Sequence, residues 1–422
     1  MDINRLLQGV DCSCGRHHAC DIRYVYVERD AARHLPNICA DHSEILLVAD
    51  ENTYAAAARG VIENIGSKIT HRVIFTGEKI LVPDEGAIAK VTDALGNADL
   101  IVGIGSGVIQ DLCKYVSYKS NLPYVIVATA PSMDGYASSG AAMITDGMKV
   151  TYSAGVPMAI VADTEVLRNA PLEMIKAGYG DIIGKYSALN DWKLGALING
   201  EYFCDYVYDL TYDMLLSVLP LASRLLERDE DATRTLMEAL ILVGVAMSFA
   251  GNSRPASGSE HHLSHFFEIT GIVHGKEYLP HGIDVIYSTA ITAKVREVLR
   301  GERFPALPTV ISESRRNAET ERLYGSVGAG CIALQEKLGT YKTNRHEKYL
   351  KLENKIKNVL SEMPPYEKIV ELIGDIGLEL NEFFTLYGKN HVRDAIRYAK
   401  DLKDRYTVLW MLYDIYGERE II

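Results

Sequence analysis

The chain has 422 residues, 48% hydrophobic and 24% charged, with 44 Lys and Arg against 56 Asp and Glu for a net charge of −12. That apolar share can fill a sizeable core and excludes disordered and fibrous classes. The acidic balance excludes a surface made to coat nucleic acid or anionic lipid, while leaving room for a small anionic ligand in a local basic pocket.

At about 150 residues per domain the length suggests two or three domains. The longest apolar stretch, Ala239 to Gly251, broken only by Ser248, falls short of the roughly 20 residues that span a bilayer. The opening MDINRLLQGV has no basic-then-apolar leader. No membrane insertion and a cytoplasmic location are expected. Four of the seven cysteines come early, Cys12, Cys14, Cys20 and Cys39, with His17 and His18 beside them. The spacing C-x-C-x5-C is uncommon for zinc, so reduced thiols in an N-terminal hairpin are expected, with a structural zinc knuckle as the alternative.

From Ile22 to about Ala162 short β-branched runs alternate with helical stretches. EILLVAD (44–50) reads as a buried strand, and AAAARGVIENI as a helix. HRVIF (71–75) and the helical EGAIAKVTDAL follow, then ADLIVGIGSG (98–107) running into glycines, the helical VIQDLCKYVSYK, and the strand LPYVIVATAP (122–131). Strands separated by single helices predict βαβ units and a parallel sheet. Beyond Pro171 the segments YGDIIGKYSALNDWKLGALI, DATRTLMEALILVGVAMSFAG, SEHHLSHFFEIT and HVRDAIRYAKDLKDRYTVLWMLYDIYG carry helical periodicity. The expected architecture is an N-terminal α/β, Rossmann-like domain over residues 1–168 and an all-α domain over 169–422, with solvated charged helices from about 300 to 365.

Three stretches carry chemistry. In VGIGSGVIQD (102–111), glycines end a strand and let backbone amides approach a ligand, and the next helix offers its positive N-terminus to phosphate. Asp50, closing an earlier strand, is placed either to cap the following helix or to accept hydrogen bonds from a ribose diol. In TAPSMDGYASSG (129–140), hydroxyls, an acid and glycines after a buried strand suggest a ligand-lining loop. SEHHLSHFFE sets His261 and His265 four residues apart on one helix face, with His281 in LPHGIDV and Asp181 in GYGDIIGKY. One carboxylate and two imidazoles leave an open coordination position, which suits a catalytic divalent metal. His262 and His274 read as non-ligands. Arg254, Lys185 and Lys149, gathered near such a metal, would form a pocket for an anionic substrate.

Together the strand-GIGSG-helix, the TAPSMDG loop, Asp181, EHHLSH and the later PHG resemble the sn-glycerol-1-phosphate dehydrogenases. These sit within the glycerol dehydrogenase, dehydroquinate synthase and iron-containing alcohol dehydrogenase superfamily. SRPASGSEHHLSH is the most diagnostic stretch. The resemblance implies a dehydroquinate-synthase-like fold with a helical C-terminal metal-binding domain, in which Asp181, His261 and His281 coordinate Zn, Ni or Fe. It implies that NAD or NADP lies against Gly105, Ser106, Gly107, Val108, Ile109, Gln110, Asp111, Thr129, Ala130, Pro131, Ser132 and Ser138, with Asp50 at the adenosine ribose. Asp134, Asp181 and His265 would contact substrate, with Asp134 and His265 as the catalytic pair. Arg254, Lys149 and Lys185 would bind its phosphate, the first two matching cationic positions of dehydroquinate synthases. The implied activity is reversible reduction of dihydroxyacetone phosphate to sn-glycerol 1-phosphate, in phospholipid biosynthesis, by a homodimer or higher homo-oligomer. A dehydroquinate-synthase-like cyclase and a dehydrogenase of unphosphorylated polyols are the alternatives. The turn departs from the superfamily's triple glycine in reading GSG, and the helices after residue 300 have no assigned role.

Overall fold

The computed structural model describes residues 3–77, 81–145, 148–307, 311–417 and 419–420; the side chains of Met148 and Lys149 also lie outside this set. Contacts divide the chain into two units, residues 1–182 with 216–252, and residues 183–215 with 253–422.

The first unit opens with a small hairpin, β1 (Val10–Asp11) and β2 (His17–His18). Six strands then build one sheet: β3 (Tyr24–Glu28), β4 (Ile45–Asp50), β5 (Ile69–Phe75), β6 (Leu100–Gly105), β7 (Tyr124–Ala128) and, after the antiparallel hairpin β8 (Gly140–Thr145) and β9 (Met148–Ser153), β10 (Ala159–Asp163). Their order is β3-β10-β7-β6-β4-β5, and every neighbouring pair is parallel. A parallel sheet is covered on both faces, which is why β4, β6 and β7 are continuous apolar runs rather than alternating ones. Crossover helices α1 (Glu51–Ile65), α2 (Glu85–Asp93) and α3 (Gly107–Ser120) connect the strands. Chain direction across the sheet reverses between β4 and β6, so the carboxyl ends of these two strands flank the switch point of an open α/β sheet.

Two glycines decide where this unit ends. Helix α4 (Leu172–Ile183) carries Gly178, where a Cβ would lie 1.8 Å from the Pro131 carbonyl oxygen. The division therefore falls at 182/183 rather than at the 168/169 expected from pattern, because α4 packs on the loop after β7. Residues 216–252 also return to this unit. A Cβ at Gly244 would meet Ala137 at 2.8 Å and the Asp134 carbonyl at 2.9 Å. Gly244 lies in the Glu230–Ala250 helix, which is long and apolar enough to cross a membrane, yet 78% of its apolar window is buried inside the protein. An all-round apolar helix inside a large core has that composition.

The second unit is helical. It holds α5 (Lys185–Asn199), the start of α6 (Asp205–Val218) and, after α7 (Glu230–Ala250) of the first unit, α8 (Ser259–His274) and α9 (His281–Gly301). Helices at Glu313–Tyr324, Gly328–Leu338 and His346–Leu360 fill the charged stretch, and further helices reach Tyr416. The fully buried Asp191 organises this unit: its carboxylate accepts from Ser259 N at 2.6 Å and Val408 N at 2.8 Å and pairs with buried Arg296 at 2.9 Å. Two helix N-termini are fixed at once by one carboxylate, and one of them belongs to α8.

Candidate active site

The first element of the site is a cavity of about 830 Å³ at the carboxyl edge of the sheet, lined by the ends of β4, β5, β6 and β7 and by residues 165–174. Asp50, at the end of β4, contributes to its wall. One Asp50 oxygen accepts from Asn52 N at 2.9 Å and Thr53 N at 3.0 Å, the capping arrangement that starts α1. The cap and the wall are thus one residue, with the carboxylate held in place by its own helix. At the end of β6, a Cβ at Gly105 would meet Ile109 at 2.6 Å, so this glycine lets the first turn of α3 close against the strand. Ser106, Gly107, Val108 and Ile109 then line the cavity where α3 begins. Backbone N–H groups at a helix start suit an anionic group.

The loop after β7 is braced from below. Thr129 lines the cavity, and the Ser106 and Ser132 hydroxyls lie 2.5 Å apart. The buried Tyr136 hydroxyl donates to the Ala130 carbonyl at 2.7 Å and lies 3.0 Å from the Ser106 hydroxyl, from which it can accept. Gln110 is fully buried and donates to the Tyr136 carbonyl and the Tyr124 hydroxyl. Lys114, also fully buried, donates to the carbonyls of Gly135 and Gly140 at 2.9 Å, and burial pushes its ammonium below the usual lysine range. Asp111 accepts from Ala142 N at 3.2 Å. Gln110 and Asp111 therefore hold the 134–142 loop, and neither lines the cavity, nor do Gly105, Ala130, Pro131, Ser132 or Ser138. Ser138 instead takes part in the Lys114 network.

The second element is a group of ligand atoms. Asp181, at the end of the first unit, and His261 and His281, in the second, each offer one. Asp181 is fully buried in the last turn of α4 and accepts from Asp134 N at 3.0 Å, which ties the TAPSMDG loop to this carboxylate. His261 stands in the first turn of α8, and its Nδ1–H donates to Glu260 Oε1 at 2.7 Å. The same oxygen accepts from Gly258 N at 2.7 Å, and Glu260 is fully buried. A carboxylate on Nδ1 leaves Nε2 unprotonated, the tautomer a metal requires. His281 is the first residue of α9, after Pro280, and its ring centroid is 5.1 Å from that of His261. His265, one turn beyond His261, has its centroid 6.3 Å from His261 and 5.7 Å from His281. A carboxylate with two imidazoles fits a divalent zinc, nickel or iron ion with room for exogenous ligands.

A family model described as iron-containing alcohol dehydrogenase matches residues 26–171. A protein of Halalkalibacterium halodurans named glycerol-1-phosphate dehydrogenase (NAD(P)+) is 32% identical over 349 residues, covering 75% of this chain and 86% of its own. The chain belongs to the glycerol-1-phosphate dehydrogenase family. A second member, from Bacillus licheniformis, is 28% identical across 94% of this chain and 90% of its own. Among solved structures, sulfoacetaldehyde reductase from Bifidobacterium kashiwanohense in complex with NAD+ is 13% identical, with a TM-score of 0.61, covering 94% of this chain and 97% of that one. That likeness concerns the fold: a parallel α/β sheet domain and a helical domain.

The cations expected around substrate in this family member have structural partners. Arg254 pairs with Glu201 and donates to the Tyr406 carbonyl at 2.6 Å. Lys185 is fully buried and donates to the Ala256 carbonyl at 3.1 Å. Lys149 is in β9, and its side chain lies outside the described residues. Sequence reasoning missed Glu260, although an acid directly before the first site histidine was the available signal. It also missed the wall formed by Glu165, Asn169 and Met174. Glu165 and Asn169 fall in the DTEVLRNAP stretch (163–171), where the strand–helix alternation of the sequence breaks, and Met174 lies just beyond it.

Proposed function

We propose that this chain is a cytoplasmic, NAD(P)- and divalent-metal-dependent dehydrogenase that interconverts dihydroxyacetone phosphate and sn-glycerol 1-phosphate, acting as a homodimer or higher homo-oligomer. The observation that carries the reading is the donor set of Asp181, His261 and His281 in a chain similar to proteins of that name. When bound, the cation supplies Lewis-acid polarisation of the substrate carbonyl, and the dinucleotide supplies or accepts hydride.

The remaining contributions come from the chain's own residues. Glu260 fixes the His261 tautomer and ring plane through the Nδ1 hydrogen bond. Asp181 has two roles in this reading, as a ligand and as the acceptor that positions Asp134 and its loop beside the substrate. His265, partly exposed and one helical turn from His261, moves the proton between the substrate oxygen and solvent. The start of α3, with Ser106 to Ile109 on the cavity wall, takes the dinucleotide phosphates at its amide end. The Asp50 carboxylate accepts from the adenosine ribose and, by charge, disfavours a 2′-phosphate, so NAD is preferred to NADP.

The test is an assay of NAD(P)H oxidation with dihydroxyacetone phosphate across added zinc, nickel and iron. Steady oxidation excludes a cyclase that uses its nicotinamide only transiently, and faster turnover of free dihydroxyacetone than of its phosphate would overturn the substrate assignment. His261→Ala and His281→Ala should each lose metal and turnover, and full activity in either would overturn the ligand set. His265→Ala should keep metal and lose turnover.

A further inference from the structure

The helices after residue 300 enclose a cavity of about 390 Å³ whose lining residues all belong to the second unit. The Glu313–Tyr324 helix contributes Arg316 and Asn317 to its wall, and the Gly328–Leu338 helix contributes Gln335. Turns at Thr340–Lys342 and Ala399–Leu402 add Tyr341 and Asp401. None of these residues lines the cavity at the sheet edge or belongs to the Asp181 group.

The acid in the floor of this cavity is already matched. Asp401 Oδ1 accepts from the Tyr341 hydroxyl at 2.5 Å, and Oδ2 pairs with the fully buried Lys400 ammonium at 3.1 Å. Lys400 donates further to the Arg397 carbonyl at 2.8 Å and lies 4.1 Å from the centre of the Tyr413 ring. Glu313, Glu336 and Lys342 stand on the exposed rim.

Arg316 has no such match. Its guanidinium carbon lies 3.7 Å from the centre of the Tyr341 ring, and no carboxylate among the described residues pairs with it. An arginine held over an aromatic ring still presents its fork of N–H groups, which suits a carboxylate or phosphate. The Asn317 amide beside it has no hydrogen-bond partner among the described residues. Gln335, only 3% exposed, donates through Nε2 to the Asp401 and Lys403 carbonyls, both at 3.0 Å. Those two bonds fix the amide and leave Oε1 without a donor among the described residues. A buried acceptor in that state is costly, and a hydroxyl or N–H group relieves it.

We infer that this cavity binds one small hydroxylated anion, a carboxylate or a phosphate ester, apart from the Asp181 centre. The acid group meets Arg316, and the hydroxyl groups meet Asn317 and Gln335. The volume lies at the lower end of the roughly 300–1,000 Å³ typical of small-molecule sites.

The test is isothermal titration of the metal-loaded full chain with D-glycerate, glycerol 2-phosphate, propionate and inorganic phosphate. At least one of the two hydroxylated anions should bind at one site per chain, more tightly than either plain anion, and the one that binds names the acid group. Arg316→Gln should weaken that binding by about 10-fold to 100-fold, the loss of a charge-assisted hydrogen bond, and keep wild-type NAD(P)H turnover. Asn317→Ala removes no internal side-chain hydrogen bond, so it decides even if Arg316→Gln misfolds, and should weaken binding about fivefold. His261→Ala should bind the anion as the wild type does, which separates this site from the metal centre. Binding lost in His261→Ala yet kept in Arg316→Gln and Asn317→Ala would place the anion at the active centre and overturn the proposal. Equal affinity for the plain anions, or no heat with any probe at millimolar concentration, would overturn it too.

Discussion

Glu260 offers the sharpest probe of the metal centre, because it orients His261 without itself belonging to the ligand group. It is fully buried, and one oxygen accepts both from His261 Nδ1 and from Gly258 N at 2.7 Å. Its other oxygen has no hydrogen-bond partner among the described residues. Glu260→Gln is close to isosteric and keeps an acceptor for both N–H groups, so it removes charge while preserving geometry. Outer-shell substitutions of this kind weaken metal binding by about 10-fold to 100-fold. The glutamine should sit near the lower figure, about 1.4 kcal/mol, and alanine near the upper, about 2.7 kcal/mol. Alanine also strands the Gly258 N–H at a buried helix start, costing a further 1–3 kcal/mol or so of folding stability.

The assay is titration of metal-free protein with zinc or nickel against a competing chelator, with turnover followed at each free-metal concentration. Because the deficit lies in affinity, raising free metal should recover most of the turnover of Glu260→Gln, whereas His261→Ala should stay inactive at any concentration. If Glu260→Ala bound metal within about twofold of the wild type, outside the loss expected of an orienting carboxylate, the tautomer argument would be wrong.

Asp191→Ala removes the partner of buried Arg296 and two N-terminal acceptors, so urea unfolding should show a loss of about 3–5 kcal/mol; a loss below about 1 kcal/mol would contradict the hub. Gly178→Ala forces a Cβ onto the Pro131 carbonyl and should destabilise by about 3 kcal/mol, while Gly107→Ala, whose Cβ meets nothing within 4 Å, should melt as the wild type does. The pH dependence has a defined sign at His391, where burial holds the imidazole below its usual range, with cationic Lys276 and Arg322 acting the same way against Asp394. The unfolded chain then takes up this proton more readily than the folded one, so its contribution is complete above about pH 6.5 and lost as pH falls below it, by up to 1.4 kcal/mol or so per pH unit. Urea unfolding between pH 7.5 and 5.5 should show that slope, flattened in His391→Met; an unchanged slope would remove His391 from the account.

The sheet was legible because burial on both faces writes β4, β6 and β7 as uninterrupted apolar runs, the first two ending in Asp50 and Gly105. The β8–β9 hairpin was not, since GAAMIT and MKVTYS mix small and polar residues without a clear period. Where pattern gave a single helical stretch through GYGDIIGKYSALN, the chain breaks at Gly184 into α4 and α5. The boundary between units was illegible for a different reason. It depends on Gly178 approaching a carbonyl some fifty residues earlier and on Gly244 approaching the Asp134 loop, and neither contact leaves a local signature.

The candidate site divides along the same line. The i, i+4 spacing of His261 and His265 is a local fact, and their rings do share one face of α8. Asp181 and His281 were grouped with His261 on the chemistry of their side chains and named as ligands by the resemblance, because nothing near either residue in the chain says which distant atoms it meets. The cofactor loops show what side-chain direction adds. Gln110, Asp111 and Ser138 occupy a loop-and-helix motif that suggests ligand contact, yet their hydrogen bonds run to the backbone of residues 134–142 or to Lys114. A motif locates a neighbourhood, and within it only the direction of each side chain separates a residue that touches a ligand from one that holds the wall in place. Lys114 makes the point most strongly: not singled out in the sequence, it is a fully buried cation of α3 that donates to the Gly135 and Gly140 carbonyls of the loop beside Asp134.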